Sequence, residues 1–100
     1  MTTNKHKPIH PGEVLRHDFM EPLGITAYRL AKQTGISAQQ IGRILNGTRG
    51  ISGETALCFA RFFGTSASVW MGLQAQHDLD VAEDKAGRFI ERNVRPWKAA

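Results

Sequence analysis

Apolar residues recur at helical spacing through most of the chain, and no stretch before residue 80 alternates as a strand would. Pro11 and Glu13 suit the first turn of a helix, where a missing N–H is harmless and an acid meets the positive end of the helix dipole. Val14, Leu15 and Phe19 then share one face, and Pro22 with Gly24 is expected to stop the segment. Thr26 is placed to cap a second helix carrying Arg29, Leu30 and Lys32, which Gly35 ends with left-handed backbone. Ser37 caps a third helix, and Gln40 three positions on completes an S-x-x-Q capping box. Ile41, Ile44 and Leu45 form its buried face, and Asn46-Gly47 closes it. Ser52 begins a fourth helix with Ala56, Leu57, Ala60 and Phe63 inward, ended by Gly64. Thr65 or Ser66 begins a fifth, carrying Val69, Trp70 and Leu73, with Trp70 read as core.

The pattern therefore predicts an all-α fold of five helices, with no internal repeat or low-complexity tract. The ends are less regular. Residues 1–8 are short, polar and basic, and read as a disordered arm. Residues 80–100 mix dense charge with Val81, Phe89, Ile90, Val94 and Trp97. They predict a continued helix with a frayed tail, with a short strand over RFIERNV as the alternative.

Composition narrows the class. A chain of 100 residues, 41% hydrophobic, is one small globular domain. No apolar run approaches the roughly 18–20 residues that span a bilayer, and the amino end lacks the apolar stretch of a signal peptide. Both point to a cytoplasmic protein without membrane contact. Cys58 is the sole cysteine, so it reads as a small core residue in a reducing compartment. Charge is the more telling property. The formal net charge is +4, and residues 26–49 hold Arg29, Lys32, Arg43 and Arg49 with no acid, while the rest of the chain carries nine residues of each sign. The whole excess sits on one predicted helix pair, the footprint of a surface that lies on phosphate.

That pair has the sizes a helix-turn-helix needs. Ala31 is small where the two helices cross, Gly35 supplies the positive φ of the turn, and Ile41 and Ile44 pin the second helix to the first. Its outward positions are then Ala38, Gln39, Gln40, Gly42 and Arg43. Gln39 and Gln40 can bond adenine in two places and Arg43 guanine, while Ala38 can touch a thymine methyl. A helix of this length is about 15 Å long, a fit to the major groove. Thr26, Arg29, Ser37, Asn46, Thr48 and Arg49 are placed to hold phosphates.

Other chemistry is not encoded. His6, His10 and His17 are irregularly spaced, two of the three read as lying in a tail, and no acid or cysteine cluster completes a metal shell. His77 reads as a hydrogen-bonded or solvated residue of the last core helix. Glu13, Asp18 and Glu21 are too scattered for an acid–base pair, and no nucleophile motif, phosphate-binding glycine loop or nucleotide fingerprint occurs, so neither an enzyme nor a cofactor is expected.

Three segments, HPGEVLRHDFMEPLG (10–24), YRLAKQTGISAQQIGRILNGTR (28–49) and ISGETALCFARFFGTSASVWMGLQAQHDL (51–79), together resemble the HigA antitoxins of bacterial type II toxin–antitoxin modules. These are a branch of the phage-repressor-like helix-turn-helix proteins. The resemblance covers residues 9–80 and implies a five-helix lambda-repressor-like DNA-binding domain there, with the helix-turn-helix at about 26–46 and a short extension over 81–100. It implies a homodimer on an inverted-repeat operator in double-stranded DNA, repression of its own operon, and neutralisation of a RelE-like toxin that cuts mRNA. Base reading from the third helix falls on Ser37, Gln39, Gln40 and Arg43. Toxin contact points to the amino-terminal arm with helix 1, or to residues 80–100, where a dimer contact also has room. Two alternatives share these residues: a stand-alone phage- or plasmid-type repressor, and a toxin inhibitor that binds only protein.

Overall fold

The computed structural model describes residues 7–98, so the expectation of disorder for residues 1–6 lies outside the described residues. Five helices follow one another, and no strand occurs among the described residues. We label them α1 (Pro11–Val14, continuing through Leu15–Met20 and Glu21–Leu23), α2 (Ala27–Thr34), α3 (Ala38–Leu45), α4 (Gly53–Phe63) and α5 (Ala67–Asn93). Four of the starts are side-chain caps at the expected hydroxyls: Thr26, Ser37, Ser52 and Ser66 each accept the N–H three residues on. Thr65 caps nothing; its Oγ1 accepts the indole N–H of Trp70 at 2.8 Å.

The core gathers Leu15, Met20, Leu30, Ile41, Ile44, Ile51, Ala56, Phe59 and Trp70. Trp70 is fully buried, with Phe19 and Phe59 at ring-centroid distances of 5.0 and 5.1 Å. Phe59, absent from the expected inward set, lies on the same face of α4 as Ala56 and Phe63, at spacings of three and four residues. Leu57 and Val69 instead stand 65% and 48% exposed, contrary to expectation. Each sits next in sequence to a deeply buried residue, and one step along a helix turns about 100° away from it.

Helix α1 stops where Pro22 with Gly24 is expected to stop it. The helix runs to Leu23 and ends at Gly24, whose φ is 66°. A proline in an α-helical interior lacks a donor and strikes the carbonyl four residues back. Here Leu15–Met20 widens to a π-helix, in which the Glu21 N–H reaches the Arg16 carbonyl five residues back. The wider turn removes the four-residue register that Pro22 would break.

At the other end, α5 continues unbroken to Asn93 and residues 94–98 form no helix or strand, so RFIERNV is not a strand. No break in the backbone marks a boundary at residue 80. The helix outruns the core, giving a radius of gyration of 16.8 Å and extents of 56 × 29 × 22 Å. A compact chain of this length has a radius of about 13 Å. No helix is long and apolar enough to cross a membrane among the described residues.

Candidate nucleic-acid interface

Helices α2 and α3 meet around the turn at Gly35, whose φ of 79° carries the chain between them. Leu30 on α2 and Ile41 and Ile44 on α3 are wholly buried, and Ala31 is half-buried where the helices cross. That assignment turns the opposite side of α3 outward. Ala38, Gln39 and Arg43 are exposed, at the spacing that brings Gln39 and Arg43 onto one face. Gly42 is half-buried between them and the core.

Gln40 is placed differently from its neighbour. It is half-buried, and its Nε2 donates to Thr55 Oγ1 on α4 at 3.3 Å. The same Thr55 hydroxyl oxygen lies 3.1 Å from Ser52 Oγ. Gln40 thus ties the start of α3 to the start of α4.

The residues expected on phosphate gather at helix ends. Thr26 Oγ1 accepts the Arg29 N–H and Ser37 Oγ accepts the Gln40 N–H, each at 3.1 Å. A capping hydroxyl accepts with one lone pair and keeps its own proton free to donate, which is what a phosphate oxygen requires. Thr48 is used the other way. Its hydroxyl donates to the Arg43 carbonyl at 3.3 Å, and that carbonyl also takes the N–H groups of Thr48 and Arg49. These bonds fold residues 46–49 back over the end of α3. Asn46, Thr48, Arg49 and Arg29 are all exposed.

Between the starts of α3 and α4 lies a polar cleft of about 270 Å³, lined in part by Ser37, Gln40, Arg49 and Ser52. Two helix N-termini open onto it, and exposed N–H groups at such ends attract anions. Glu54 also lines it. The stretch 26–49 is free of acids along the chain, but the fold brings one to its edge.

A helix-turn-helix family profile matches residues 17–70. Antitoxin HigA-1 of Vibrio cholerae is 30% identical over 79 residues, spanning 79% of this chain and 74% of that protein. An addiction-module antidote protein of the HigA family from Coxiella burnetii is 40% identical, with a TM-score of 0.88 over 92% of this chain and 100% of the other. The chain belongs to the HigA family of helix-turn-helix antitoxins. The Pseudomonas aeruginosa antitoxin HigA, solved with the higBA promoter, is 38% identical with a TM-score of 0.88 over 91% of this chain and 99% of that one. HigA-family proteins are DNA-binding regulators and not enzymes.

As a HigA-family protein, the chain also presents residues that periodicity does not single out. Tyr28 on α2 is exposed, with the Lys32 ammonium 5.8 Å from its ring centroid, beside Arg29. An aromatic residue ordinarily reads as core. The signal is its spacing of four from Lys32, on the side of α2 opposite Leu30. The histidines depart from expectation as well. His10 is not in a tail: it is buried and caps α1. His77 is half-buried, and its Nδ1 has no hydrogen-bond partner among the described residues, the Asp78 carboxylate lying 3.6 Å away. His17 pairs with Glu21 Oε1 at 3.2 Å on the surface, and His6 lies outside the described residues. Cys58 is half-buried at the edge of α4, outside the central core.

Proposed function

We propose that this protein binds an inverted repeat in the promoter of its own operon as a homodimer, represses that operon in the cytoplasm, and neutralises a RelE-like mRNA-cleaving toxin. The observation that carries the DNA half is the outward face of α3. Gln39 and Arg43 stand exposed on α3, flanked by the capping hydroxyl of Ser37 at its start, by Asn46, Thr48 and Arg49 after its end, and by Thr26 and Arg29 at the start of α2. In this reading Arg43 and Gln39 read base edges and Ala38 meets a thymine methyl, while Thr26, Ser37 and the loop after α3 hold phosphates. Gln40 reads a base by releasing Thr55, or serves as the strut that sets the approach of α3. The relative from P. aeruginosa, an antitoxin solved with a promoter, supports both the DNA and the operon. The antitoxin names in the family support the toxin.

Two copies are needed because one short reading helix spans only part of a site, and half-sites one turn apart match a two-fold dimer. The outer half of α5 is suited to that pairing. Leu79, Ala82, Ala86 and Phe89 recur at spacings of three and four, and Leu79 and Phe89 are exposed. Asp78, Asp80, Glu83 and Asp84 come first along the helix, followed by Lys85, Arg88 and Arg92 with Glu91 among them. Antiparallel pairing of two such helices sets the acids of one copy against the bases of the other.

The deciding experiment expresses this chain with the adjacent reading frame and measures two things. One is binding to a duplex from the region upstream of the pair, in competition with unrelated DNA. The other is growth arrest by the neighbour with and without this chain. Specific, salt-sensitive binding together with rescued growth is the expected result. Binding without any toxic neighbour leaves a stand-alone repressor, and rescue without DNA binding leaves a protein-binding inhibitor.

A further inference from the structure

The motif His10-Pro11-Gly12 has no part in the surface just described, yet it is folded against the exit of the reading helix. His10 Nδ1 accepts the Gly12 N–H at 2.9 Å, capping α1, which assigns the ring proton to Nε2. His10 is only 8% exposed. On one side lies Gly47, where an added Cβ would come within 3.8 Å of the imidazole Cγ. On another lies the ring of His77 from α5, edge-on at a centroid distance of 4.9 Å. Gly12 itself touches the last turn of α3: a Cβ there would overlap the Ile44 carbonyl oxygen and lie 2.9 Å from its carbon. The start of α1 and the end of α3 therefore meet backbone to backbone, which only glycine at position 12 permits.

We propose that His10, wedged between Gly47 and His77, is a proton-sensitive latch that positions the Asn46–Arg49 loop for DNA. The proposal rests on the DNA-binding reading of that loop. A proton on Nδ1 removes the acceptor for the Gly12 N–H, so the cap is lost. It also places a charge in a nearly closed space, 4.9 Å from a second imidazole. The loop packed on the ring then loses its support.

The groups facing His10 set the direction. Burial first, then His77, lower its pKa below the ordinary 6.5, while Glu13 on α1, the Arg49 backbone carbonyl in the loop and Asp78 on α5 oppose this less strongly. A base whose folded pKa is lowered contributes stability above its unfolded pKa and loses it as the pH falls through the folded value. Packing and DNA affinity should thus weaken together on acidification below 6.5. Simple electrostatics runs the other way, because protonated histidines add positive charge and tighten binding to phosphate.

The test measures affinity for a labelled duplex from the region upstream of the protein's own reading frame, at fixed salt, between about pH 8 and about pH 5.5. Wild type should lose affinity by roughly fivefold or more. His10→Asn keeps a capping acceptor but cannot titrate, and its affinity should stay level or rise. Wild-type affinity that holds or rises on acidification, or a His10→Asn protein that falls as far as wild type, overturns the latch. NMR of the wild type without DNA gives a second, independent reading. The amides of Gly47 and Thr48 should titrate with the His10 ring, and loop amides indifferent to that midpoint overturn the proposal even if the variant does not fold. Absence of duplex binding at about pH 8 would instead reject the DNA-binding reading and leave the NMR result to decide the latch.

Discussion

Arg43 and Arg49 carry the same charge, but their settings assign them different work. Arg43 projects from the outward face of α3 in line with Gln39, whereas Arg49 hangs from the loop that folds back over the end of that helix. Arg43→Ala should weaken binding to the preferred site by roughly 1–3 kcal/mol and relax the choice at one base pair of each half-site. Competition titrations with single-base variants of the promoter duplex check this, and an unchanged preference would remove Arg43 from base reading. Arg49→Ala should weaken all duplexes alike and reduce the slope of log affinity against log salt by about one for each phosphate that Arg49 neutralises. Titrations over a range of salt distinguish the two. Arg43 is legible in the sequence, since its exposure follows from the positions of Ile41 and Ile44, and Arg49 follows from its place in the loop after Asn46-Gly47. Gln40 is only half legible: helical geometry puts it beside Gln39, but Thr55, fifteen residues further along, accepts its Nε2 proton.

The helices of this protein are delimited mainly by local chemistry. Ser37 shows the principle most directly, with Oγ accepting the Gln40 N–H at 3.1 Å on an exposed helix start. Ser37→Ala should lower unfolding stability by about 1 kcal/mol in a urea titration, and Ser37→Asp should restore it. The same Ser37→Asp should nevertheless impair DNA binding, because a carboxylate caps the helix yet repels a phosphate. Binding at wild-type strength in Ser37→Asp would show that this hydroxyl meets no phosphate. Helix α1 marks the edge of local reasoning. Pro22 with Gly24 ends the helix as expected, but before that stop Leu15–Met20 bonds five residues back, with Leu15 and Met20 in the core. Sequence periodicity has no mark for a π turn, because apolar spacing reports which face is buried and not which carbonyl an N–H meets. Type and spacing put Leu57 and Val69 inward. The orientation of α4 and α5 about Phe59 and Trp70 turns them out instead.

The molecule is a compact head with a projecting rod, and the rod carries apolar side chains that a lone copy leaves in water. Phe89 is 67% exposed and Trp97 is 87% exposed. Phe89→Glu should leave the head folded, since Phe89 is remote from the core cluster, and should shift the protein to monomer in sedimentation or light scattering. Binding to a duplex with two half-sites should then fall much further than binding to one half-site, because engagement of the second half-site is no longer intramolecular. A Phe89→Glu protein that remains dimeric would move the interface elsewhere. The helices, most of their caps, the turn at Gly35 and the basic window all follow from the order of the residues alone. Each depends on residues within a few positions of one another, where the energies of capping, turns and amphipathic faces are set. Packing settled the rest: His10 is buried beneath the loop after α3, Glu54 edges the basic surface, Gln40 reaches Thr55, and α5 outruns the core. Those relations join parts of the chain far apart in sequence, and burial and contact exist for them only once the helices have come together.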